Sequence, residues 1–387
     1  MQLKLSMAAA SLIVASTLQA EDYVSVQYMQ YDESNNRTSI SAPALTVNKD
    51  FGTDYTLNIS LVSDAVSGAS PTAIDTSSGA SGAFKRGETT PDNVSYENID
   101  YKDNRLAGNI LLTTRFENRD ELTVGIAYSQ ENDFYSYEAS GEYLHWLGSD
   151  KNQALSFGLA VQSNEILVRE CGPYTSCDTS SGASAKETAS LINTQLSFLQ
   201  NIDSNSYAKA SVFFFQEDGY LSSPYHNIVR QSKTTPANVI VESELKPDTR
   251  TSYGLSLDYA NAITKNTTFQ TTYRFYTDDW GINSHTLDND LYYELGTNWT
   301  FKLGLRLYSQ SEADFYSEFK NTGSFTNENF ASSDERVSSF TSMTYKTGVD
   351  YKVSKDIVLN IGANYYTQDT VSKLSATYFI AGFTYYF

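Results

Sequence analysis

The chain has 387 residues, with 46 acidic against 27 basic side chains, a formal net charge of −19, and 29 Tyr and 20 Phe. A charge of this sign repels phosphate, and no basic patch with interleaved aromatic residues appears, so a nucleic-acid partner is excluded. No phosphate-cradling glycine loop is present, and no apolar run is long enough for a transmembrane helix.

The first twenty residues have the pattern of a secretory signal peptide. Lys4 provides the positive start, Met7 to Leu18 form a short apolar segment, and Ala20 is the expected cleavage point. We therefore expect residues 1–20 to be removed on export and residues 21–387 to form the mature domain.

From Tyr23 onward, segments of alternating polarity are separated by two kinds of connection that strictly alternate. The short polar ones are 49–54, 118–121, 148–153, 203–206, 265–267, 296–298 and 353–356. The others are generally longer: 66–100, 171–186, 221–247 and 320–334, with short members at 35–36, 281–284 and 370–372 and a bend near 135–138. Short periplasmic turns and long extracellular loops are typical of outer-membrane barrels.

The count of segments predicts a single transmembrane antiparallel β-barrel of about sixteen strands. Leu122, Val124, Ile126 and Tyr128 alternate with small or polar residues, which gives this strand a lipid face and a lumen face. The last strand, 376–387, carries an aromatic stripe ending on Phe387 and should pair with 23–31 to close the barrel. Its terminal pattern resembles the signal that the barrel assembly machinery reads.

Basic residues fall on the predicted lumen faces and are the candidate selectivity residues: Arg115, Lys209, Arg250, Arg274, Lys302, Arg306 and Lys346. Clear lumen acids are fewer, so the excess carboxylates, Asp288 and Asp290 among them, are expected in loops and strand tips. A wall of one sign of charge biases which ions enter a pore. The alternative, that these bases pair with neighbouring acids and fill the barrel, carries about equal weight.

The longest loop, 66–100, is the candidate constriction. It opens with Ser67, Gly68, Ala69, Ser70 and Pro71, which would let the backbone approach the wall closely and turn. The seven residues 75–81 recur at 178–184, either as a duplicated binding element or as a duplication that loops tolerate.

Cys171 and Cys177 are the only cysteines, and their short spacing in an exported chain predicts a disulfide across a loop. No metal site or cofactor site is predicted, because no further His or Cys lies near the two cysteines and no flavin or haem motif is present.

Catalysis would have to use His145, His226 or His285. His145 is predicted on a lumen face near a periplasmic turn, away from the other two. Ser284 and nearby aspartates could be drawn around His285, but any serine-rich loop would offer as much, so no enzyme is predicted.

Several stretches resemble a proteobacterial family known as domain of unknown function 3570: Tyr31-Asp32-Glu33-Ser34, Ser41-Ala42-Pro43, 64–72, 129–134 and 306–316. The resemblance implies an exported, barrel-like protein and no particular activity. It also implies a periplasmic redox partner, because related genes are often found beside flavin-attaching and thioredoxin-like proteins.

Two functions stay open: a channel for passive passage of small solutes, or a barrel that holds a partner protein, linked to a periplasmic redox system. Lipopolysaccharide is an expected partner of the acidic loops. A homotrimer is the expectation from the barrel size.

Overall fold

In the computed structural model, the described residues are 22–75, 87–169, 184–318, 330–370 and 373–387. They form nineteen strands. These are β1 (Tyr23–Glu33), β2 (Thr38–Phe51), β3 (Tyr55–Asp75), β4 (Gly87–Thr89), β5 (Val94–Arg115), β6 (Glu121–Gln130), β7 (Phe134–Leu147), β8 (Gln153–Arg169), β9 (Ser184–Asn201), β10 (Ser206–Gly219), β11 (Asn227–Gln231), β12 (Val239–Ser243), β13 (Thr249–Thr264), β14 (Thr267–Asp278), β15 (Asn283–Leu295), β16 (Trp299–Gln310), β17 (Phe340–Lys352), β18 (Ile357–Asp369) and β19 (Leu374–Tyr386).

Sixteen of these strands close into one antiparallel barrel. Each pairs with the next wall strand along the chain, and β1 pairs with β19 from Tyr23 opposite Tyr386 to Glu33 opposite Ala376. Closure leaves no strand edge exposed in the wall. The predicted fold, the strand number and the pairing of the last segment with the first are confirmed.

The two ends of the barrel differ as predicted. At one end the strands are joined by tight turns, and Gly52 and Gly296 take positive φ values of 66° and 65° there. This short-turn end also holds both ends of the wall, at β1 and β19. The other end carries the longer connections and is called the loop end below. The prediction of a bend near 135–138 is wrong, because these residues lie inside β7. Asn132 and Asp133 make the turn instead.

The outer surface of the wall is apolar. Ile361, Ile126 and Leu303 expose 64%, 62% and 59% of their surface. In a water-soluble protein, side chains of this kind are most often buried in the core. Their neighbours along each strand point into the lumen, because successive side chains alternate between faces. Aromatic rings such as Trp299 and Tyr351, with centroids 4.3 Å apart, gather on this surface at the short-turn end. The outer face thus suits a bilayer. Among the described residues, no helix has the length and apolarity needed to cross a membrane.

The prediction that residues 66–100 form a constriction loop is largely wrong. β3 and β5 continue through it as a paired hairpin, with Ser67 opposite Lys102 and Pro71 opposite Asn98. Gly68, Ala69 and Ser70 are strand residues as well. β2 pairs with β3 only as far as Gly68, so Pro71 lies where β3 has one neighbour in the wall. Proline lacks an N–H donor and is tolerated at such an edge.

A second, small sheet lies at the loop end. Its strand order is β11, β12, β4, and we call it the lid. β11 and β12 leave the wall between β10 and β13, whereas β4 leaves it between β3 and β5. Four wall strands separate β10 from β5 on the shorter way around. The lid therefore joins distant parts of the rim across the mouth.

Apolar packing holds the lid on the projecting β3–β5 hairpin. Ala73 of β3 packs with Val229, Val239 and Val241 of the lid, and Val94 of β5 adds to this cluster. Asn227 also donates a hydrogen bond of 3.1 Å to the carbonyl of Ala73. Burying several β-branched side chains, each contributing about 1.5–3 kcal/mol, is the main attraction between lid and wall.

Candidate functional site: the lumen and its lid

Most of the predicted basic residues lie on one side of the lumen, where three of them pair with carboxylates. The Lys302 ammonium lies 2.7 Å from Asp350. The Lys346 ammonium lies 2.6 Å from Asp288 and 2.7 Å from Asp290. Asp288 and Asp290 are therefore not loop or tip residues as expected: they lie in β15 and face inward.

Arg306 belongs to the same charge network, but loosely. Its Nε atom is 3.8 Å from Asp288, a carboxylate that Lys346 already engages at shorter distance. Gly304 makes room for the network, because a β-carbon there would come within 2.2 Å of Asp290 Oδ1.

Arg250 and Arg115 lie at opposite ends of the lumen wall. Arg250 donates to Asp278 Oδ2 at 2.5 and 2.9 Å and lies 4.5 Å from the centre of the Trp280 ring, at the loop end. Arg115 approaches Asp50 at 4.0 Å near the short-turn end. The seven predicted basic residues thus do not form one site.

Lys209 and Arg274 have no carboxylate within ion-pair distance among the described residues. Lys209 is opposite Asp258 in the β10–β13 register, yet the two side chains form no ion pair. Asp258 instead accepts hydrogen bonds from Thr272 and Ser256. The guanidinium carbon of Arg274 lies over the Phe213 ring, 4.4 Å from its centre.

Two acidic residues of the lumen are not identified from the sequence. Glu138 and Glu142 lie in β7 and alternate with the outward residues Tyr137 and Tyr143, so they face inward. Within the described ranges, no cation forms an ion pair with either one. Seven wall strands separate β7 from the β17 of Lys346 in both directions around the barrel. The glutamates therefore face the basic side across the full diameter of the lumen.

Buried charges fasten the lid to the long loop between β16 and β17. We call His226, Glu244, Lys246 and Asp334 the latch. Lys246 Nζ lies 2.9 Å from Glu244 Oε1 and 3.3 Å from Asp334 Oδ2. Ser332 donates to Glu244 at 2.6 Å, and a backbone bridge joins Leu245 to Ala331.

The latch perturbs the ionisation of two of its members. Burial by itself would raise the pKa of Asp334, but the charges of Arg336 and Lys246 hold that pKa well below its usual value. Burial lowers the pKa of His226, although Asp334 and Glu244 act in the opposite direction. The closed latch therefore holds a charged carboxylate beside a histidine that resists protonation.

The β16–β17 loop also contacts the neighbouring β1–β2 and β18–β19 connections. Glu335 lies 3.8 Å from Arg37 and accepts a hydrogen bond of 3.4 Å from Thr370. Trp280, Ile282, Ala313 and Val337 form a buried apolar cluster beneath it. The β16–β17 loop thus contacts the lid segment, the β14–β15 turn, and the β1–β2 and β18–β19 connections.

Three acids meet at the turn between β6 and β7. Asp103, Glu131 and Asp133 each place a carboxylate oxygen within 4.8 Å of the others. Burial, followed by the charge of Asp103, raises the pKa of Glu131 to about 7. Such a group could hold a divalent cation, and in its absence a proton on Glu131 relieves the repulsion.

The histidines are dispersed. His145 lies on the outer face with Tyr143, not on the lumen face as expected, and its Nδ1 is 2.8 Å from Asp120. His226 belongs to the latch, whereas His285 stacks beside Tyr273 on the outer face. The structure does not bring them together. Cys171, Cys177 and most of the repeated heptapeptides lie outside the described residues.

The chain matches the model of a protein family over residues 3–382, and that family is described as protein of unknown function (DUF3570). The chain belongs to this family. The match covers the whole barrel except its last few residues. No curated protein matches this DUF3570 chain.

Solved barrels share the fold at low similarity. The CymD monoaromatic hydrocarbon channel is 10% identical, with a TM-score of 0.44, and the match covers 96% of this chain and 89% of CymD. A variant of the ferric enterobactin receptor PfeA of Pseudomonas aeruginosa is 9% identical, with a TM-score of 0.44 and 90% of this chain covered. The siderophore receptor PirA of Acinetobacter baumannii is 11% identical, with a TM-score of 0.42 and 91% of this chain covered. The DUF3570 chain spans 54% and 53% of the length of these receptors.

Proposed function

We propose that the barrel lies in the outer membrane of a Gram-negative cell and lets small polar solutes diffuse through its lumen. The observation that carries the proposal is the set of lumen charges without an ion-pair partner among the described residues: Glu138, Glu142, Lys209 and Arg274. Burying such groups in a dry interior costs several kcal/mol each, and more for an isolated charge, so the lumen must hold water.

The size of the wall agrees with this function. Barrels with sixteen strands are wide enough for an aqueous channel unless a separate segment fills them. The two glutamates of β7 face Arg306 across the lumen, and because Arg306 has only a distant carboxylate, this arrangement creates a field perpendicular to the direction of passage. A field of this kind favours solutes that carry a charge or a strong dipole.

The lid favours a second function, a barrel that is closed by its own loops and holds a partner. In a channel, the lid would regulate entry and would have to move or leave openings beside it. In a scaffold, the lid would stay closed and present a fixed surface. The buried latch supports a lid that closes firmly, so the two functions need to be separated by experiment.

Conductance in planar bilayers separates them. The folded protein should give discrete single-channel steps, and a variant lacking residues 224–245 should give larger ones, because that segment forms most of the lid. Deleting Asn283 and Ser284 would not be a suitable control, because both residues belong to the wall strand β15. Lys355→Gln, on an exposed side chain of the 353–356 turn at the short-turn end, leaves the lid and the loop end intact and serves as the control. No conductance from either the folded protein or the lid deletion would refute the channel.

A further inference from the structure

Tyrosines on the lumen face form a partial ring at one height. They are Tyr31, Tyr276, Tyr308, Tyr366 and Tyr378, and we call them the tyrosine collar. Each is the ninth or tenth residue of its strand, counted from the short-turn end. The rings of Tyr31 and Tyr378 have centroids 5.8 Å apart, and Tyr366 is opposite Ala376, two residues from Tyr378, in the strand register.

The collar hydroxyls share one hydrogen-bond pattern. Each of four donates to the side chain two residues further toward the loop end: Tyr31 to Glu33 at 2.8 Å, Tyr276 to Asp278 at 2.8 Å, Tyr308 to Gln310 at 2.6 Å and Tyr366 to Gln368 at 2.5 Å. The hydroxyls are thus satisfied within the wall, and the bonds fix the direction of the rings. Fixed aromatic faces lose little conformational entropy when a flat molecule stacks on them.

Two guanidinium groups lie directly below the collar. Arg274 precedes Tyr276 by two residues on β14, and Arg306 precedes Tyr308 by two residues on β16. Two residues of a strand span about 7 Å, so a small molecule can touch a collar ring and an arginine at once. The strand registers place Arg274 opposite Thr286 and Arg306 opposite Asp288, so only β15 lies between the two arginines.

Neither arginine is neutralised. Arg274 has no acidic partner among the described residues and rests on Phe213 instead. Arg306 has only the distant Asp288, and its side chain is 54% exposed. Lys346, by contrast, is held by two carboxylates. At the height of the collar, the positive charge available to a solute therefore lies at Arg274 and Arg306.

We propose that the tyrosine collar, with Arg274 and Arg306, is a binding station for ring-bearing carboxylates. The ring stacks on collar tyrosines other than Tyr276, whose own ring packs against the Trp280 cluster and lies near Arg250. The carboxylate accepts paired hydrogen bonds from a guanidinium fork. Both aromatic carboxylates and uronic acids have this chemistry. The inference deepens the proposed channel function by naming the class of solute, although binding itself does not require passage.

Equilibrium dialysis of the folded barrel in detergent tests the station without conduction. The probes are benzoate, glucuronate, glucose and acetate. Benzoate or glucuronate should bind at least tenfold more tightly than either glucose, which lacks the charge, or acetate, which lacks the ring. Whichever of benzoate and glucuronate binds more tightly shows whether the preferred ring is aromatic or a sugar. Acetate binding as tightly as both ring-bearing acids would overturn the proposal.

Variants locate the station. Arg274→Gln with Arg306→Gln, and separately Tyr308→Leu with Tyr366→Leu, should each weaken binding at least tenfold. Lys352→Gln and Tyr292→Leu are matched controls, because both residues face the lumen nearer the short-turn end and should leave binding unchanged. A heat-dependent shift in gel mobility reports folding of every variant. Undiminished binding in both folded double variants would refute the station.

Block of single-channel current by the same acids separates this inference from the channel proposal. Binding without any conductance would refute the channel and leave the station standing. Conductance without selective binding of ring-bearing acids would refute the station and leave the channel standing.

Discussion

Lys246 and Asp334 form an ion pair, with Nζ 3.3 Å from Oδ2, between two loops that leave the barrel wall at different places. Both side chains are buried, and Lys246 is held at the same time by Glu244. The pair fastens the lid segment to the β16–β17 loop, with only β14 and β15 between the wall strands β13 and β16. This contact is therefore the place where the mouth can be loosened without a change in the wall.

Lys246→Met should loosen the lid. The substitution leaves Glu244 and Asp334 buried without their cation, at a cost of about 3–5 kcal/mol. We expect larger or noisier single-channel currents and faster proteolysis within 220–248, with an unchanged barrel. Lys233→Met, on an exposed lysine of the lid without an ion pair among the described residues, is the matched control. Identical currents and cleavage rates in the two variants would contradict the latch.

Acidification should open the mouth in two steps. His226 has a lowered pKa in the closed latch, so below its ordinary value of 6.5 an open lid takes up a proton that the closed lid does not. Asp334 acts in the same direction at lower pH, because its carboxylate stays charged when closed and protonates when open below its ordinary 3.8. Conductance measured from pH 7 downward should rise first below about pH 6.5 and again below about pH 4.

His226→Gln should remove the first step and keep the second, because Glu244, Lys246, Asp334 and Arg336 remain. His285→Gln, on the outer face, should keep both steps. A first step that survives in folded His226→Gln would assign the titration to another group.

The charge preference of the lumen should depend on β7. Glu138→Gln combined with Glu142→Gln removes the acidic side that faces Lys346, so permeability should shift toward anions by about twofold to tenfold. The reversal potential under a salt gradient measures this ratio. Glu165→Gln is the control, because Glu165 lies on the outer face of β8 and pairs with Lys186. An equal shift in the control would show that surface charge decides the preference.

Gly254→Ala should destabilise the wall beneath Arg274. A β-carbon there would lie 2.0 Å from Phe213 Cζ and 2.5 Å from the backbone oxygen of Phe275. Overpacking of this kind costs about 1–3 kcal/mol, and moving Phe213 also withdraws the ring under Arg274. The temperature of the gel-mobility shift should fall. At Gly158 the nearest atom to a β-carbon is 4.0 Å away, so Gly158→Ala should melt like the parent.

The wall was predictable because lipid and water select alternate residues along every strand. That rule also applied to Asp288 and Asp290, which alternate with the outward Leu287 and Leu291, and would have placed both inside. The overall acidity of the chain instead predicts acidic loops and strand tips, and this is why the sequence-based prediction misplaces Asp288 and Asp290. Glu138 and Glu142 were missed since Ala139 and Gly141 weaken the apolar pattern on the outer face of β7.

The lid was not predictable in the same way. β4 pairs with β12 through Glu88 opposite Ile240, two segments far apart in the sequence with no periodicity to link them. One local signal was present: Ile228-Val229 and Val239-Ile240-Val241 flank a polar turn, which is a hairpin pattern inside the loop. The tyrosine collar could not be predicted from the sequence either, because the common height of its tyrosines can be recognised only from the strand register.

The β4–β12 pairing also limits the order of assembly. β4 follows β3 early in the chain, but its partner arrives only with the segment between β10 and β13. Until then, the β3–β5 hairpin projects from the rim with Ala73 and Val94 lacking their lid contacts. The mouth can therefore be covered only when both of these parts of the wall are in place, so a barrel that lacks either one stays open at the loop end.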